Sequence, residues 1–236
     1  MTGSIRLHVA SPLNEGAELD ATPGQAHYLG TVMRRAVGET LRLFNGRDGE
    51  WEARIIALRR DRARFGVVRQ LRPQTAEPDL WLAFAVLKRD ATDLVVQKAT
   101  ELGASALLPV LTARTNAARV NAERLAAIAT EAAEQCERLT VPRLGAPQRL
   151  PDLLAGWPAN RPLFAALERA TAAPPLAAHP GPAGLLVGPE GGFSPGELDE
   201  LARHAFVKGV SLGPRILRAE TAAIVGLALL QAPGGG

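Results

Sequence analysis

The segment Leu185-Leu186-Val187-Gly188-Pro189-Glu190-Gly191-Gly192-Phe193-Ser194-Pro195-Gly196-Glu197 has the residue types and spacing of a ligand-binding turn. An apolar run that reads as a buried strand ends at Val187, and glycine-rich sequence follows at once. Ser194 and Glu197 have the spacing of a helix capping box, with Pro195 in the first helical position, where its missing N–H costs nothing. Gly188, Gly191 and Gly192 therefore fall in the loop leaving the carboxyl end of a strand, where open α/β sheets bind ligands. Lacking side chains, they let backbone amides come close to a bound molecule. A second segment, Ser211-Leu212-Gly213-Pro214-Arg215-Ile216-Leu217-Arg218-Ala219-Glu220-Thr221, repeats the plan. A strand ends, a Gly-Pro turn follows, and an apolar helix begins. Ile216 and Leu217 are expected to cover a pocket, with Arg215 and Arg218 as flanking cations.

Several chemistries lose ground on spacing alone. The glycines do not form the dinucleotide fingerprint G-x-G-x-x-G, and no Walker-type G-x-x-x-x-G-K-[S/T] occurs. No G-x-S-x-G nucleophile elbow is present. His8, His27, His179 and His204 are scattered, and Cys136 is the one cysteine, so neither a metal site nor a disulfide is expected.

The elements that must position these loops belong to two regions. Residues 1–72 read as a β domain of short strands at 5–10, 40–44, 51–58 and 62–71. Asn45-Gly46 and Asp48-Gly49 supply a hairpin turn between two of them. Thr22 caps a short helix predicted over 25–32. Residues 73–79, with two prolines, form a linker. From Leu80 the rhythm becomes strand, helix, strand, helix, the pattern of a parallel α/β sheet. Predicted strands cover 81–87, 105–111, 162–168, 184–187 and 207–212. Predicted helices cover 91–102, 123–139, 150–155, 195–204 and 221–231. The Gly-rich end at 233–236 is expected to be disordered.

Hydrophobic residues make up 47% of the 236, enough for a proper core. No apolar run resembles a signal peptide or approaches the roughly 20 residues of a membrane span, so a soluble, cytoplasmic protein is expected. The net charge of +3 is unevenly spread: residues 1–72 hold 12 Lys and Arg against 8 Asp and Glu, whereas the rest hold 15 against 16. A basic, arginine-rich front half suits phosphate binding, although a general preference for arginine on every surface would look the same.

With these residues in view, the chain resembles the RsmE family, the bacterial 16S rRNA uridine N3-methyltransferases of the SPOUT superfamily. The resemblance is carried by G-P-E-G-G-F-S at 188–194 and S-L-G-P-R-I-L-R-A-E-T-A at 211–222. It extends upstream through Gln97-Lys98-Ala99-Thr100-Glu101-Leu102-Gly103, Arg114, Glu134-Gln135-Cys136-Glu137-Arg138 and Pro142. At the front it includes His27-Tyr28-Leu29, Arg34 through Gly38, and Phe44-Asn45-Gly46. Met33-Arg34-Arg35 and residues 174–182 depart from the family pattern.

The resemblance implies a small N-terminal PUA-like β-barrel followed by a SPOUT α/β domain with a C-terminal trefoil knot. It also implies S-adenosyl-L-methionine as cofactor, held bent by three loops: Ala166-Leu167-Glu168; Gly188, Pro189, Gly191 and Gly192; and Leu212, Gly213, Ile216 and Leu217. A homodimer with the site at the subunit interface is implied too, and the apolar 221–231 helix would contribute to that contact. The partner is 16S rRNA or the assembled small ribosomal subunit. Methyl transfer to uracil N3 requires loss of a proton, and a fixed cation beside the flanking carbonyls would favour the anion. Arg218 is the first candidate for that role and Arg114 the second. Glu190 acts as base or orients the loop. Arg34 and Arg35, with Arg138, are the candidate RNA contacts. A non-enzymatic RNA-binding or dimerisation protein, and an α/β enzyme using another adenosine ligand, are the competing readings.

Overall fold

The computed structural model describes residues 5–115, 120–167 and 173–232. In chain order the strands are β1 (Arg6–His8), β2 (Glu18–Asp20), β3 (Thr40–Phe44), β4 (Glu50–Leu58), β5 (Ala63–Arg72), β6 (Leu80–Ala85), β7 (Ala106–Leu111), β8 (Arg143–Leu144), β9 (Gln148–Arg149), β10 (Leu163–Ala166), β11 (Ala183–Val187) and β12 (Val207–Val210). The α-helices are α1 (Pro23–His27), α2 (Arg89–Glu101), α3 (Ala122–Gln135), α4 (Leu150–Ala155), α5 (Pro195–Arg203) and α6 (Ala219–Leu230). Two compact units result: residues 1–76 with 133–141, and residues 77–132 with 142–236. The expected tail at 233–236 lies outside the described residues.

The first unit is a mixed five-stranded sheet in the order β1-β3-β4-β5-β2. Only β1 and β3 run parallel; the other pairs are antiparallel. Between β4 and β5 the register shifts three times, and such bulges curve a ribbon enough for one face to enclose a core. That core is built on Leu7, Leu29, Leu41, Leu43, Ile55 and Phe65. Thr22 and Gln25 form a capping box on α1, which gives way after His27 to a π-helical turn over Tyr28–Val32. The single helix expected over 25–32 is thus two pieces.

A second cluster joins Phe44 to Ala133 and Leu139. Its polar counterpart is the guanidinium of Arg6, which donates to Glu50 (2.5 Å) and to the carbonyls of Ala133, Glu134 and Arg138 (2.9, 2.9 and 2.7 Å). Two of those carbonyls lie in the last turn of α3, where no intrahelical donor remains, and a cation there also meets the negative end of the helix dipole. Glu137, at φ +62°, turns the backbone out of the helix. For both reasons α3 stops at Gln135 rather than at residue 139 as its apolar stripe suggested. Arg72 completes the arrangement, donating to both Glu50 oxygens and to the Glu137 carbonyl.

The second unit is a seven-stranded sheet in the order β12-β10-β11-β6-β7, with β8 and β9 both pairing with β7. Every pairing is parallel, as the alternating pattern predicted. The carboxyl ends of all the strands therefore share one edge. All five residues of β11 are buried, and helix α6 packs on β11, β6 and α2. That packing depends on Gly226, since a Cβ there would come within 2.6 Å of the Leu185 side chain. On its other side α6 leaves Ile224, Val225 and Leu229 half-buried and Ala228 exposed. Among the described residues no helix is long and apolar enough to cross a membrane.

Candidate active site

The shared carboxyl edge gathers the loops after β7, β10, β11 and β12 around one cleft of about 620 Å³, within the range of small-molecule sites. Its floor is the end of β11. The turn that follows is shaped by two glycines. Gly188 leaves room for the Phe193 ring, which would lie 3.0 Å from a Cβ. Gly192 has φ +68° and donates to the Pro189 carbonyl at 2.8 Å, closing a tight turn in a region L side chains avoid. Ser194 then caps α5 with the expected capping box.

Glu197 does more than cap. One carboxylate oxygen accepts from the Ser194 N–H (2.8 Å), and the other accepts from the Ala113 N–H in the loop after β7 (2.7 Å). The adjacent Arg114 donates to the Gly191 carbonyl at 2.6 Å. A residue read from sequence only as a cap thus ties two walls of the cleft together. Glu197→Ala should lower stability by about 1–2 kcal/mol, the upper range for a lost cap, measured by urea unfolding. Glu197→Gln keeps one accepting oxygen and should lose less; equal losses would show that the bond to the retained oxygen contributes nothing.

The structure brings most of the expected residues together. Arg114, Glu190, Ala166, Leu167, Gly188, Pro189, Gly191, Gly192, Leu212, Gly213 and Leu217 all line the cleft. Glu168 lies outside the described residues. Ile216 does not line the cleft: its side chain is 66% exposed. Arg218 is exposed at the N-cap of α6, between the lining residues Leu217 and Ala219, and is not itself part of the wall. Sequence reasoning passed over Ala219 and Ala222, whose small side chains make the α6 wall. It also left Arg215 as a flanking cation only. Ser211, missed as well, holds the turn after β12 by accepting from the Gly213 N–H at 3.2 Å. A Ser two residues before a Gly was the available signal.

The RNA-contact candidates belong to the first unit and differ in setting. Arg34 is exposed, Arg35 is half-buried with Glu39 at 3.8 Å, and Arg138 is buried, donating to Thr140. Among the described residues no group of His, Cys, Asp or Glu side chains could hold a metal ion. The cleft offers backbone groups, small apolar walls and the guanidiniums of Arg114 and Arg215. Such a site binds and orients a small polar molecule.

Residues 75–231 match the family described as an RNA methyltransferase domain, and residues 21–68 match the RNA methyltransferase PUA domain. Ribosomal RNA small subunit methyltransferase E of Rickettsia conorii is 36% identical, over 97% of this chain and 96% of that protein. The Synechocystis protein of the same name is 33% identical over 97% and 78%. A Legionella pneumophila structure described as a methyltransferase in complex with S-adenosylmethionine superposes with TM-score 0.88 at 30% identity, covering 100% of both chains. The ribosomal RNA small subunit methyltransferase E of Neisseria gonorrhoeae bound to S-adenosylmethionine gives 0.84 at 29%, covering 96% of each.

Proposed function

Because the chain belongs to the ribosomal RNA small subunit methyltransferase E family, and is thus a methyltransferase that uses S-adenosylmethionine, we propose that it methylates ring nitrogen N3 of a uridine in 16S rRNA. The observation that carries this reading is the convergence of the end of β10 and the glycine- and proline-containing loops after β11 and β12 on one cleft beside Arg114. Backbone groups and small side chains fit a nucleoside-bearing ligand there. Ala166, Leu167, the 188–192 turn, Leu212, Gly213 and Leu217 would hold the cofactor, which supplies an activated methyl group.

The chain's own residues must orient uridine and favour loss of its N3 proton. Arg114 is already engaged with the Gly191 carbonyl. The Arg218 side chain has no hydrogen bond or ion pair among the described residues, so its guanidinium is free to face the carbonyls flanking N3 and stabilise the anion. Exposed Glu190 orients the glycine turn. Exposed Arg34 and half-buried Arg35 serve the RNA side from the first unit, and Arg138, being buried, does not. In this reading residues 1–72 are the RNA-binding barrel, 73–79 the linker and 80–236 the SPOUT domain. Its C-terminal segment forms the trefoil knot, and the half-exposed apolar side of α6 pairs two copies into a cytoplasmic dimer.

Methyl transfer from labelled S-adenosylmethionine to naked 16S rRNA and to assembled small subunits, with the product located by mass spectrometry, tests the reaction. No transfer to either substrate would refute it. Arg218→Ala should lower the single-turnover rate at saturating RNA and cofactor by about 10²–10³-fold, the usual loss of one charge-stabilising donor. A wild-type rate would remove Arg218 from the mechanism.

A further inference from the structure

Four of the six exposed large apolar side chains among the described residues of the first unit lie in one stretch of chain. Tyr28, Val32, Met33 and Val37 are 39, 59, 38 and 58% exposed, and they follow one another through the π-helical turn and the loop after it. This stretch rests on the far end of β4. A Cβ at Gly30 would lie 3.8 Å from the Leu58 side chain. The Gly38 N–H donates to the Ile55 carbonyl at 2.8 Å, and the Ile55 N–H donates to Glu39 at 2.9 Å.

Leu58 is the last residue of β4, so the turn that follows it emerges beside the same stretch. That turn is Arg59-Arg60-Asp61-Arg62, closed by the Arg59 N–H on the Arg62 carbonyl at 2.7 Å. Arg59, Arg60 and Arg62 are exposed and have no ion pair among the described residues. A single aspartate stands against three arginines there. Arg34 adds a fourth unpaired guanidinium from the neighbouring loop.

The backbone at Arg34 is informative. It has φ +50° directly after the π-helical turn, where the Arg35 N–H donates to the Leu29 carbonyl. This is a helix-terminating position that glycine or asparagine fills with least strain. An arginine kept at such a backbone position motivates a role for its side chain beyond the fold.

We infer that the 28–37 stretch and the 59–62 turn together form a docking surface for single-stranded RNA. The four free guanidiniums bind successive phosphates, and the exposed Tyr28 ring, flanked by Val32 and Met33, receives a base. Unpaired arginines together with an exposed ring are what an unstacked strand requires, since phosphates give affinity and stacking holds the bases without reading them. An acidic protein surface would use the arginines but leave the ring and its apolar neighbours in water.

This inference rests on RNA being the substrate, and the test separates the two. Binding of a fluorescent single-stranded 16S rRNA fragment to the full chain is measured by anisotropy across a salt series. Methyl transfer to rRNA by the wild type is measured in parallel. The Arg59→Ala, Arg60→Ala, Arg62→Ala triple variant should bind about tenfold or more weakly, and its log–log salt slope should fall by about 2, because three phosphates lose their partners. Tyr28→Ala should weaken binding about fivefold or more, while Tyr28→Phe, which keeps the ring, should bind like wild type. Arg34→Gly should melt at the same temperature or higher and still bind RNA more weakly, which a purely structural role could not produce. Wild-type affinity and slope in both the triple variant and Tyr28→Ala, with the wild type methylating rRNA, overturn the surface alone. Absence of RNA binding and methyl transfer by the wild type overturns both readings.

Discussion

Gly191→Val is expected to abolish S-adenosylhomocysteine binding and, with it, detectable methyl transfer. A Cβ at residue 191 would sit 3.4 Å from Cδ and 3.7 Å from Cβ of Arg114, which is ordinary contact. The two further methyls of valine are expected to push Arg114 from the Gly191 carbonyl and to crowd the cleft that residue 191 lines. A ligand at a hundred times its dissociation constant stabilises the folded state by about 2.7 kcal/mol, a shift easily read in a melting curve. The wild type should show it, Gly191→Ala should retain most of it, and Gly191→Val should lose it while melting near the unliganded wild type. A full shift in the valine variant would mean that the 188–192 turn does not touch the cofactor.

The second large effect concerns stability. Glu50 is 1% exposed and is the shared acceptor of Arg6 and Arg72. Glu50→Ala should cost about 3–5 kcal/mol, because it leaves the guanidinium of Arg6 buried without its counter-charge. Glu50→Gln should recover only part, since an amide oxygen accepts a bond but carries no charge. The pH dependence follows from the same contacts. Burial pushes the Glu50 carboxyl upward, but hydrogen bonds and charge from Arg6 and Arg72 outweigh it and hold its pKa below the ordinary glutamate value. The folded state then binds fewer protons than the unfolded chain. Its contribution is full above the unfolded value of about 4.3 and is lost as pH falls through the folded value. Urea midpoints taken downward from neutral pH should therefore fall more steeply below about pH 4.3 in the wild type than in Glu50→Gln. Parallel acid limbs would show that Glu50 does not titrate on unfolding.

Much of the site was legible because its signals are local. Ser194, Pro195 and Glu197 announce a helix start, and the glycines before them announce the turn, whatever the rest of the chain does. Helix α4 over Leu150–Ala155 was legible for the same reason, opening on proline. Strands β2, β8 and β9, of two or three residues each, are too short to show a period of two. The end of α3 was invisible because the residues that stop it, Arg6 and Arg72, lie far away in sequence. Ile216 was read as a pocket lid because apolar residues are expected to be covered, yet it is mostly exposed. The burial of Arg138 had no sequence signal, since an arginine alone does not tell whether its surroundings are protein or solvent.

The grip of Arg6 on the carbonyls after Ala132 has a consequence for synthesis. The first unit is not complete at residue 76, because its second cluster and the acceptors of its buried guanidinium lie at 133–141. On a translating ribosome the earliest part of the chain must wait for the first half of the methyltransferase domain before Phe44 and Arg6 find their partners. A released fragment ending at 76 would leave a hydrophobic ring and a cation poorly satisfied, and would be prone to aggregate. Order of emergence and order of folding are thereby uncoupled: the region made first is sealed by a segment made much later, and its maturation reports that translation has passed residue 141.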